Sequence, residues 1–117
     1  MSRIEKYYKA RYEKFKILLK WRSLLPKLLN AVKKVIPDAE VYIFGSALKN
    51  KLTANSDIDV LIVSDKASGF QRHKLAVAIE ENLSNPFIFE LHLIPKEKLS
   101  WYKVHAKELT PIELILK

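Results

Sequence analysis

Two short stretches hold the residues with which this chain could bind a phosphate and a metal ion. Gly45 and Ser46 end one apolar run, and Asp57 and Asp59 open the next after ten intervening residues. A glycine at the end of a strand allows backbone angles and a close approach that a side chain would forbid. Ser46 can then cap the following turn and direct its hydroxyl and nearby N–H groups outward. We therefore predict that Gly45 and Ser46 contact a phosphate group.

The two aspartates favour a divalent metal ion. Residues two apart on a strand point to the same face, so both carboxylates project together while Ile58 and Val60 enter the core. Two like charges this close resist joint ionisation unless a cation lies between them. Oxygen ligands of this kind suit Mg²⁺, with Mn²⁺ as the alternative. Glu90 is the third candidate ligand, and such a set can hold the two ions of an in-line displacement, about 3.5–4 Å apart.

Three predicted strands must position these side chains. Residues 39–44 and 58–63 are short, β-branched and apolar, and the second run is continuous enough for a central strand covered on both faces. Along residues 87–94 apolar and polar side chains alternate, which places Glu90 on the polar face of a third strand. Residues 71–83 carry apolar side chains at helical spacing, and we predict that this helix covers the sheet.

The C-terminal part predicts a short helix and a last strand. Pro95 fits the first turn of a helix that runs to about Tyr102. The tail, residues 106–117, contains Thr110-Pro111 before a short apolar run, which favours an edge strand. The order of elements predicts an α+β fold, with helices packed against a small mixed β-sheet.

The N-terminal part predicts a long basic helix. Apolar residues recur at three-to-four spacing from Ile4 to about Leu25, and Pro26 should kink this helix or open a second one. Residues 1–36 hold 11 Lys or Arg against 2 Glu, a net charge of +9, so this segment carries the whole basic excess of the chain. We interpret its aromatic residues as core or as a partner interface, in preference to a surface for stacking bases; they are Tyr7, Tyr8, Tyr12, Phe15 and Trp21.

Composition excludes several classes of protein. The chain has no cysteine, which rules out disulfides, thiolate nucleophiles and cysteine-ligated zinc. No apolar run approaches the roughly 20 residues that span a bilayer, and the N-terminus does not resemble a signal peptide, so we expect a cytoplasmic protein without a membrane partner. With 117 residues we expect one domain, 1–117, made of a basic helical segment (1–36), a catalytic core (37–95) and a helix with a tail (96–117).

The two motifs together resemble the signature of the DNA polymerase beta superfamily of nucleotidyltransferases. In that superfamily Gly-Ser is followed, at about the gap seen here, by Asp-x-Asp on the next strand. The resemblance covers roughly residues 37–95, and the small size and the N-terminal helix are similar to its minimal nucleotidyltransferase (MNT) branch. It implies a polymerase-beta-like fold with a metal and nucleoside-triphosphate site, in which Asp57, Asp59 and Glu90 hold Mg²⁺ and Glu90 helps to deprotonate the acceptor.

The resemblance also implies a reaction and a partner. The expected activity is the transfer of a nucleoside monophosphate from a triphosphate, taken as ATP, to an acceptor hydroxyl. MNT proteins often pair with a separate helical HEPN protein as a toxin–antitoxin couple, and the acceptor can be a tyrosine of that partner. Nucleic acid is the weaker alternative, and it would need a basic path from the N-terminal helix to Asp57.

Three positions depart from the family pattern. The family often has a basic residue directly after Gly-Ser, where this chain has Ala47, so we expect Lys49 or Lys51 to replace that cation, and both are candidate nucleotide-binding residues. Asn50 stands about where the family has a glycine. The third acid is Glu90 and not the usual aspartate, which moves the carboxylate outward by one methylene.

Simpler interpretations of the same residues stay open. Gly45-Ser46 alone is an ordinary turn, and an isolated Asp-x-Asp can be a strand entry with one acid capping the turn. Glu90 can be a solvent-facing charge, and His92 fits a surface or rim residue better than a ligand. The alternative function is a non-catalytic, antitoxin-like binding module that keeps the fold.

Overall fold

The computed structural model describes residues 1–66, 68–106 and 108–116. Within them the chain forms a four-stranded sheet in the order β3-β2-β1-β4. Strand β1 pairs antiparallel with β2 and with β4, whereas β2 and β3 are parallel. This confirms the predicted mixed sheet. The strands are β1 (Glu40–Phe44), β2 (Ile58–Val63), β3 (Phe89–Ile94) and β4 (Thr110–Pro111).

Strand β2 lies inside the sheet, as its apolar run predicts. Ile58, Val60 and Ile62 are fully buried on one face, and Leu61 and Val63 are fully buried on the other. A strand that is covered on both faces has no room for alternation between apolar and polar residues, and this explains the run IDVLIV. Asp59 is the polar interruption in this strand.

Two helices cover the face of the sheet that we call the back face. They are α2 (Trp21–Val35) and α3 (Gly69–Asn82), which pack against each other as well as against the strands. Leu25, Leu28 and Leu75 are among the side chains that they bury in the main core, which accounts for their apolar residues at helical spacing. The core therefore lies between this helical layer and the back face.

The opposite face, which we call the front face, has a thinner cover. Helix α4 (Leu99–His105) packs there with Leu99 and Tyr102 against a small cluster around Leu61, Val63 and Ile94. This cluster occupies the end of the sheet where β2 and β3 finish. The beginning of β2 and β3, where Asp59 lies, is outside this cluster.

The N-terminal segment forms two helices, and the break lies earlier than the sequence pattern predicts. Helix α1 (Arg3–Leu19) ends at Lys20, where the Lys20 N–H bonds the Ile17 carbonyl and the Ser23 hydroxyl donates to the Lys20 carbonyl at 2.7 Å. Pro26 lies inside α2, so the predicted alternative in which Pro26 opens the second helix is wrong. Arg22, whose carbonyl loses its helical donor to the proline, is exposed, so water can replace that donor.

Helix α1 is largely exposed, although its sequence has an apolar stripe. Leu18 is its only fully buried residue, and residues 1–10 are all exposed. Tyr7, Tyr8 and Tyr12 are 55%, 64% and 61% exposed, whereas Trp21 is buried. Of the two predicted places for the aromatic residues, core is therefore right for Trp21, and a partner interface stays a prediction for these tyrosines. Helical periodicity indicates an apolar face, but it does not say whether the chain itself covers that face.

The C-terminal region differs from its prediction in detail. Strand β4 has two residues, and the apolar run after it forms the short helix α5 (Ile112–Ile115) and not more strand. The start of the predicted third strand is instead a 3₁₀ turn (Pro86–Ile88), and another turn (Lys96–Lys98) precedes α4. Lys107 and Lys117 of the predicted tail lie outside the described residues.

No helix in the described part of the chain combines the length and the apolar character needed to cross a bilayer.

Candidate active site

Asp59 lies on an interior strand, at the end of the sheet where β2 and β3 begin. In the strand register it lies opposite Phe44, the last residue of β1, and opposite Glu90, the second residue of β3. Neighbouring strands are about 4.8 Å apart, so side chains at paired positions on one face are in reach of each other. The parallel pairing of β2 and β3 thus brings Asp59 and Glu90 together, as a shared metal site would require.

Three side chains converge at this point. Asp59, Glu90 and His92 each offer a ligand atom, and the three atoms lie within 4.8 Å of one another. The His92 Nε2 atom is 3.4 Å from Asp59 Oδ1 and 3.9 Å from Glu90 Oε1. The side chains of His92 and Asp59 are only 30% and 27% exposed, whereas that of Glu90 is 57% exposed. The cluster is therefore open to solvent on the Glu90 side.

His92 is the member of this cluster that the sequence analysis places at the rim and not among the ligands. It shares a strand face with Glu90, and the ring of Phe44 packs against it with centroids 5.3 Å apart. The parallel register sets Asp59 opposite Glu90 and leaves His92 two residues further along the same face. The alternation along β3 indicates that His92 shares a face with Glu90. It does not show that His92 lies near Asp59, because that depends on β3 running parallel to β2.

Gly45 makes room for Asp59. Its φ is +90°, a conformation that side chains rarely adopt, and a Cβ atom at this position would lie 2.7 Å from Asp59 Oδ2. No real Cβ contact is that short, so any other residue would displace the carboxylate or the loop. The structure therefore gives a physical reason for a glycine directly after β1.

The turn after Gly45 differs from the predicted cap. Residues Ser46–Lys49 form a 3₁₀ turn in which Gly45 is the N-cap, and no side chain among the described residues caps it, so the predicted capping by Ser46 is wrong. Ser46 is exposed beside Gly45, at the same end of the sheet as Asp59. Asn50 ends the turn with φ of +55°. Asparagine is one of the few residues other than glycine that tolerate this conformation, so it can replace a glycine here.

Asp57 does not join the cluster in this structure. It is exposed, and its Oδ1 atom lies 3.7 Å from the Nζ atom of Lys14 on α1. Among the described carboxylates, those of Asp59 and Glu90 are thus the two that could share a metal ion, whereas Asp57 points toward Lys14. An exposed aspartate at the start of a strand can change rotamer at little cost, so this arrangement does not remove it from the site.

The two predicted phosphate-binding lysines lie at the turn and not at the cluster. Lys49 Nζ is 3.9 Å from Glu108 Oε1, and Lys51 is exposed, with its backbone N–H bonded to the Ser46 carbonyl. The structure therefore brings neither amine into contact with Asp57, Asp59 or Glu90 within the described residues.

Tyr42 is the neighbour of Phe44 on the same strand face and has a perturbed proton affinity. Burial raises the pKa of its phenol, and a hydrogen bond that it donates to Glu40 at 3.0 Å adds to the effect, as do the negative charges of Glu40 and Glu113. Its hydroxyl bonds Glu40, at the far end of β1 from Gly45. We therefore assign Tyr42 to the fold and not to the chemistry.

The family model for the nucleotidyltransferase domain matches residues 25–111, which include the whole sheet and both motifs. The chain belongs to this family. It is therefore a transferase of nucleotidyl groups by family, and the resemblance drawn from Gly45-Ser46 and Asp57-x-Asp59 is confirmed. No curated protein matches the chain.

Two solved structures resemble this nucleotidyltransferase. One is a crystal structure of a candidate nucleotidyltransferase that is 27% identical, with a TM-score of 0.57, and the match covers 74% of this chain and 95% of that one. The other, a candidate nucleotidyltransferase from Sulfolobus solfataricus, is 21% identical with a TM-score of 0.56, and the match covers 84% of each chain. At this identity the second likeness concerns the fold alone, and both agree with the predicted α+β fold class.

The cluster of this nucleotidyltransferase fits a divalent metal ion. Two carboxylates and an imidazole are common ligands of divalent cations, and the three atoms lie close enough together for one ion to be shared. Carboxylate oxygens suit Mg²⁺ and Mn²⁺, whereas the imidazole nitrogen suits Mn²⁺ better than Mg²⁺. The donor set therefore supports metal binding without selecting one metal.

Proposed function

We propose that the protein transfers a nucleoside monophosphate from a nucleoside triphosphate, taken as ATP, to an acceptor hydroxyl with the help of Mg²⁺. The observation that carries this proposal is the convergence of Asp59, Glu90 and His92 beside Gly45, at the open end of the sheet. A carboxylate cluster can hold the metal ions that assist phosphoryl chemistry, and the exposed Ser46 beside it is placed to contact a phosphate. Membership of the nucleotidyltransferase family supports the same reaction.

The residues of the chain have distinct roles in this proposal. Asp59 and Glu90 hold the metal, Asp57 joins them after turning away from Lys14, and Gly45 and Ser46 contact the triphosphate. Glu90, the most exposed of the three cluster residues, accepts the proton of the acceptor hydroxyl. The acceptor oxygen forms a bond to the α-phosphorus, the bond from that phosphorus to the bridging oxygen breaks, and pyrophosphate leaves with those electrons. A bound divalent metal supplies charge stabilisation for the attacking and leaving oxygens.

The proposed acceptor is a hydroxyl of a helical HEPN-type partner protein, with a tyrosine as the acceptor residue, in the cytoplasm. This part of the proposal depends on the resemblance to the MNT branch. The exposed tyrosines and aliphatic side chains of α1 offer a surface on which a partner protein could dock.

The reaction can be tested with ATP labelled at the α-phosphate, Mg²⁺ and a purified helical protein of the HEPN type. We expect label on the partner with the wild type and none with Asp59→Asn. Asp65→Asn is the matched control, because Asp65 follows the same strand at its other end and pairs with Lys96 at 3.9 Å. It should transfer label like the wild type.

Two results would contradict the proposal. Equal transfer by wild type and Asp59→Asn would remove the cluster from the chemistry. If neither protein transfers label and both suppress the toxicity of the partner equally, the non-catalytic binding module is favoured.

A further inference from the structure

Lys14 links helix α1 to the candidate active site. Residues 1–10 of this helix are all exposed, whereas Lys14 is half-buried and its Nζ atom lies 3.7 Å from Asp57 Oδ1. Lys14 is the only lysine or arginine of the described residues whose amine or guanidinium lies within 4.0 Å of Asp57, Asp59 or Glu90. A helix that otherwise extends away from the core thus places one cation at the site.

The position of α1 beside the site is fixed by more than this ion pair. A groove lies between α1 and the loop before β2, and it is lined by Arg11, Tyr12 and Phe15 of the helix and by Thr53 and Ala54 of the loop. Phe15 is half-buried, and Leu18, one turn further on, is fully buried in the main core. The C-terminal half of α1 is therefore anchored, and Lys14 lies within that half.

Stability does not account for a cation at this position. The side chains of Lys14 and Asp57 are 31% and 43% exposed, and ion pairs with this much solvent contribute little to folding. In the part of the chain that the structure describes, no lysine or arginine other than Lys14 pairs with the carboxylates of the site, because the residue after Gly-Ser is the buried Ala47 and Lys49 pairs with Glu108. A triphosphate brings several negative charges to such a site, and they need a positive partner.

The distance between Lys14 and Asp57 would put the amine within reach of a triphosphate bound beside Asp57. Asp57 is one of the carboxylates that would hold a divalent ion together with phosphate oxygens of the substrate. A triphosphate bound in this way would place a phosphate oxygen beside the Asp57 carboxylate. An amine 3.7 Å from Oδ1 of that carboxylate, on a flexible four-carbon stem, can reach the same oxygen by a change of rotamer.

We infer that Lys14 is a nucleotide-binding residue, which pairs with Asp57 in the free protein and with the phosphate oxygens of the nucleoside triphosphate in the complex. The inference rests on the proposed function and adds α1 to the nucleotide site. It replaces Lys49 and Lys51, the predicted phosphate-binding cations, with a residue that is distant in sequence. It also makes nucleotide binding sensitive to anything that displaces α1.

The test is calorimetric titration of the full chain with ATP and Mg²⁺. Lys14→Met removes the charge and keeps most of the length of the side chain. We expect its affinity for ATP to be lower than that of the wild type by roughly tenfold or more, because hydrogen bonds to charged groups are stronger than those between neutral groups. Lys14→Arg should stay within about threefold of the wild type, since it keeps the charge. Lys16→Met is the matched control, because Lys16 lies on the same helix and pairs with Glu13 at 3.4 Å, away from the site. It should change binding less than about twofold.

A second titration, with Mn²⁺ and no nucleotide, separates the outcomes. Loss of Lys14 frees Asp57, so Lys14→Met should bind Mn²⁺ at least as tightly as the wild type while it binds ATP more weakly. If wild type binds ATP and Lys14→Met binds it equally well, Lys14 is a surface ion pair and the inference is wrong. If the wild type binds no ATP with Mg²⁺ or Mn²⁺, the proposed function itself is contradicted, and the inference falls with it.

Discussion

The two faces of strand β2 use alternate residues of one short segment for opposite purposes. On the back face Ile58, Val60 and Ile62 are fully buried beneath α2 and α3. On the front face Asp59 keeps 27% of its side chain exposed and lies among polar groups. The back face supplies the apolar burial that holds the sheet in place, and the front face presents the chemistry. A single strand can do both because its side chains alternate.

The front face is itself divided, which shows what the site requires. Helix α4 covers the end of the sheet that contains Leu61 and Val63, and these two side chains are as fully buried as those on the back face. The other end stays open around Asp59 and Glu90. A reaction with a nucleotide and an acceptor needs that access, so incomplete cover at one end of a well-packed sheet agrees with the proposed activity.

Among changes on the front face, substitution of Glu90 is expected to reduce activity the most. Glu90→Gln keeps the shape of the side chain but removes a metal ligand and the proposed base, so we expect nucleotidyl transfer to fall by roughly a hundredfold or more. Thermal unfolding should hardly change, because the residue is exposed. Glu97→Gln, an exposed glutamate beyond the end of β3, is the control and should keep full activity. A Glu90→Gln protein as active as this control would leave Glu90 without a role.

A back-face change should have the opposite profile. Ile62→Ala empties a fully buried site beneath the helices, and such substitutions cost about 2–5 kcal/mol of unfolding free energy. Urea denaturation measures this loss, and activity per folded molecule should stay near that of the wild type. An Ile62→Ala protein that is stable but inactive would show that the two faces are not separate in function.

Gly45 lies at a point that matters for both folding stability and metal binding, so its substitution should reduce each of them moderately. Gly45→Ala forces a side chain into a conformation with φ of +90° and against Asp59 Oδ2, which we expect to cost about 1–3 kcal/mol and to weaken metal binding. Gly69→Ala is the control, because Gly69 has nothing within 4 Å of its added Cβ. Calorimetric metal titration and urea denaturation of both variants measure the difference. The expectation fails if the two alanine variants behave alike.

The smallest expected effect is the difference between the losses of Mn²⁺ and Mg²⁺ affinity when His92 is replaced. His92→Gln removes an imidazole from the cluster, and loss of a ligand or of its hydrogen-bonding neighbour typically costs about 10–100-fold in metal affinity. Because imidazole suits Mn²⁺ better than Mg²⁺, the affinity for Mn²⁺ should fall more than that for Mg²⁺. Parallel titrations with both metals test this. Equal losses for the two metals would make His92 a neighbour of the carboxylates and not a ligand.

The sequence was informative where a single element decides the outcome. The apolar run of β2 predicts an interior strand, and the alternation of β3 predicts which face carries Glu90. These are local properties of strands, and the structure agrees with both. The positive φ of Asn50 also explains why an asparagine can stand where the family has a glycine.

The sequence was less informative where two elements meet. The place of His92 in the cluster depends on the parallel register of β2 and β3, and the contact of Lys14 with Asp57 depends on how α1 leaves the core. Pro26 was misleading, because a proline on an exposed side of a helix is tolerated where water replaces the missing donor. None of these is encoded by spacing along one segment.

The central claim is that the open end of the front face binds a divalent metal through Asp59. Titration with Mn²⁺ followed by electron paramagnetic resonance tests it most directly, because protein-bound and free Mn²⁺ give different signals and no acceptor is needed. We predict saturable Mn²⁺ binding by the wild type and by Asp65→Asn, and at least tenfold weaker binding by Asp59→Asn. Mn²⁺ binding by Asp59→Asn that is as tight as that of the wild type would contradict the assignment of the site.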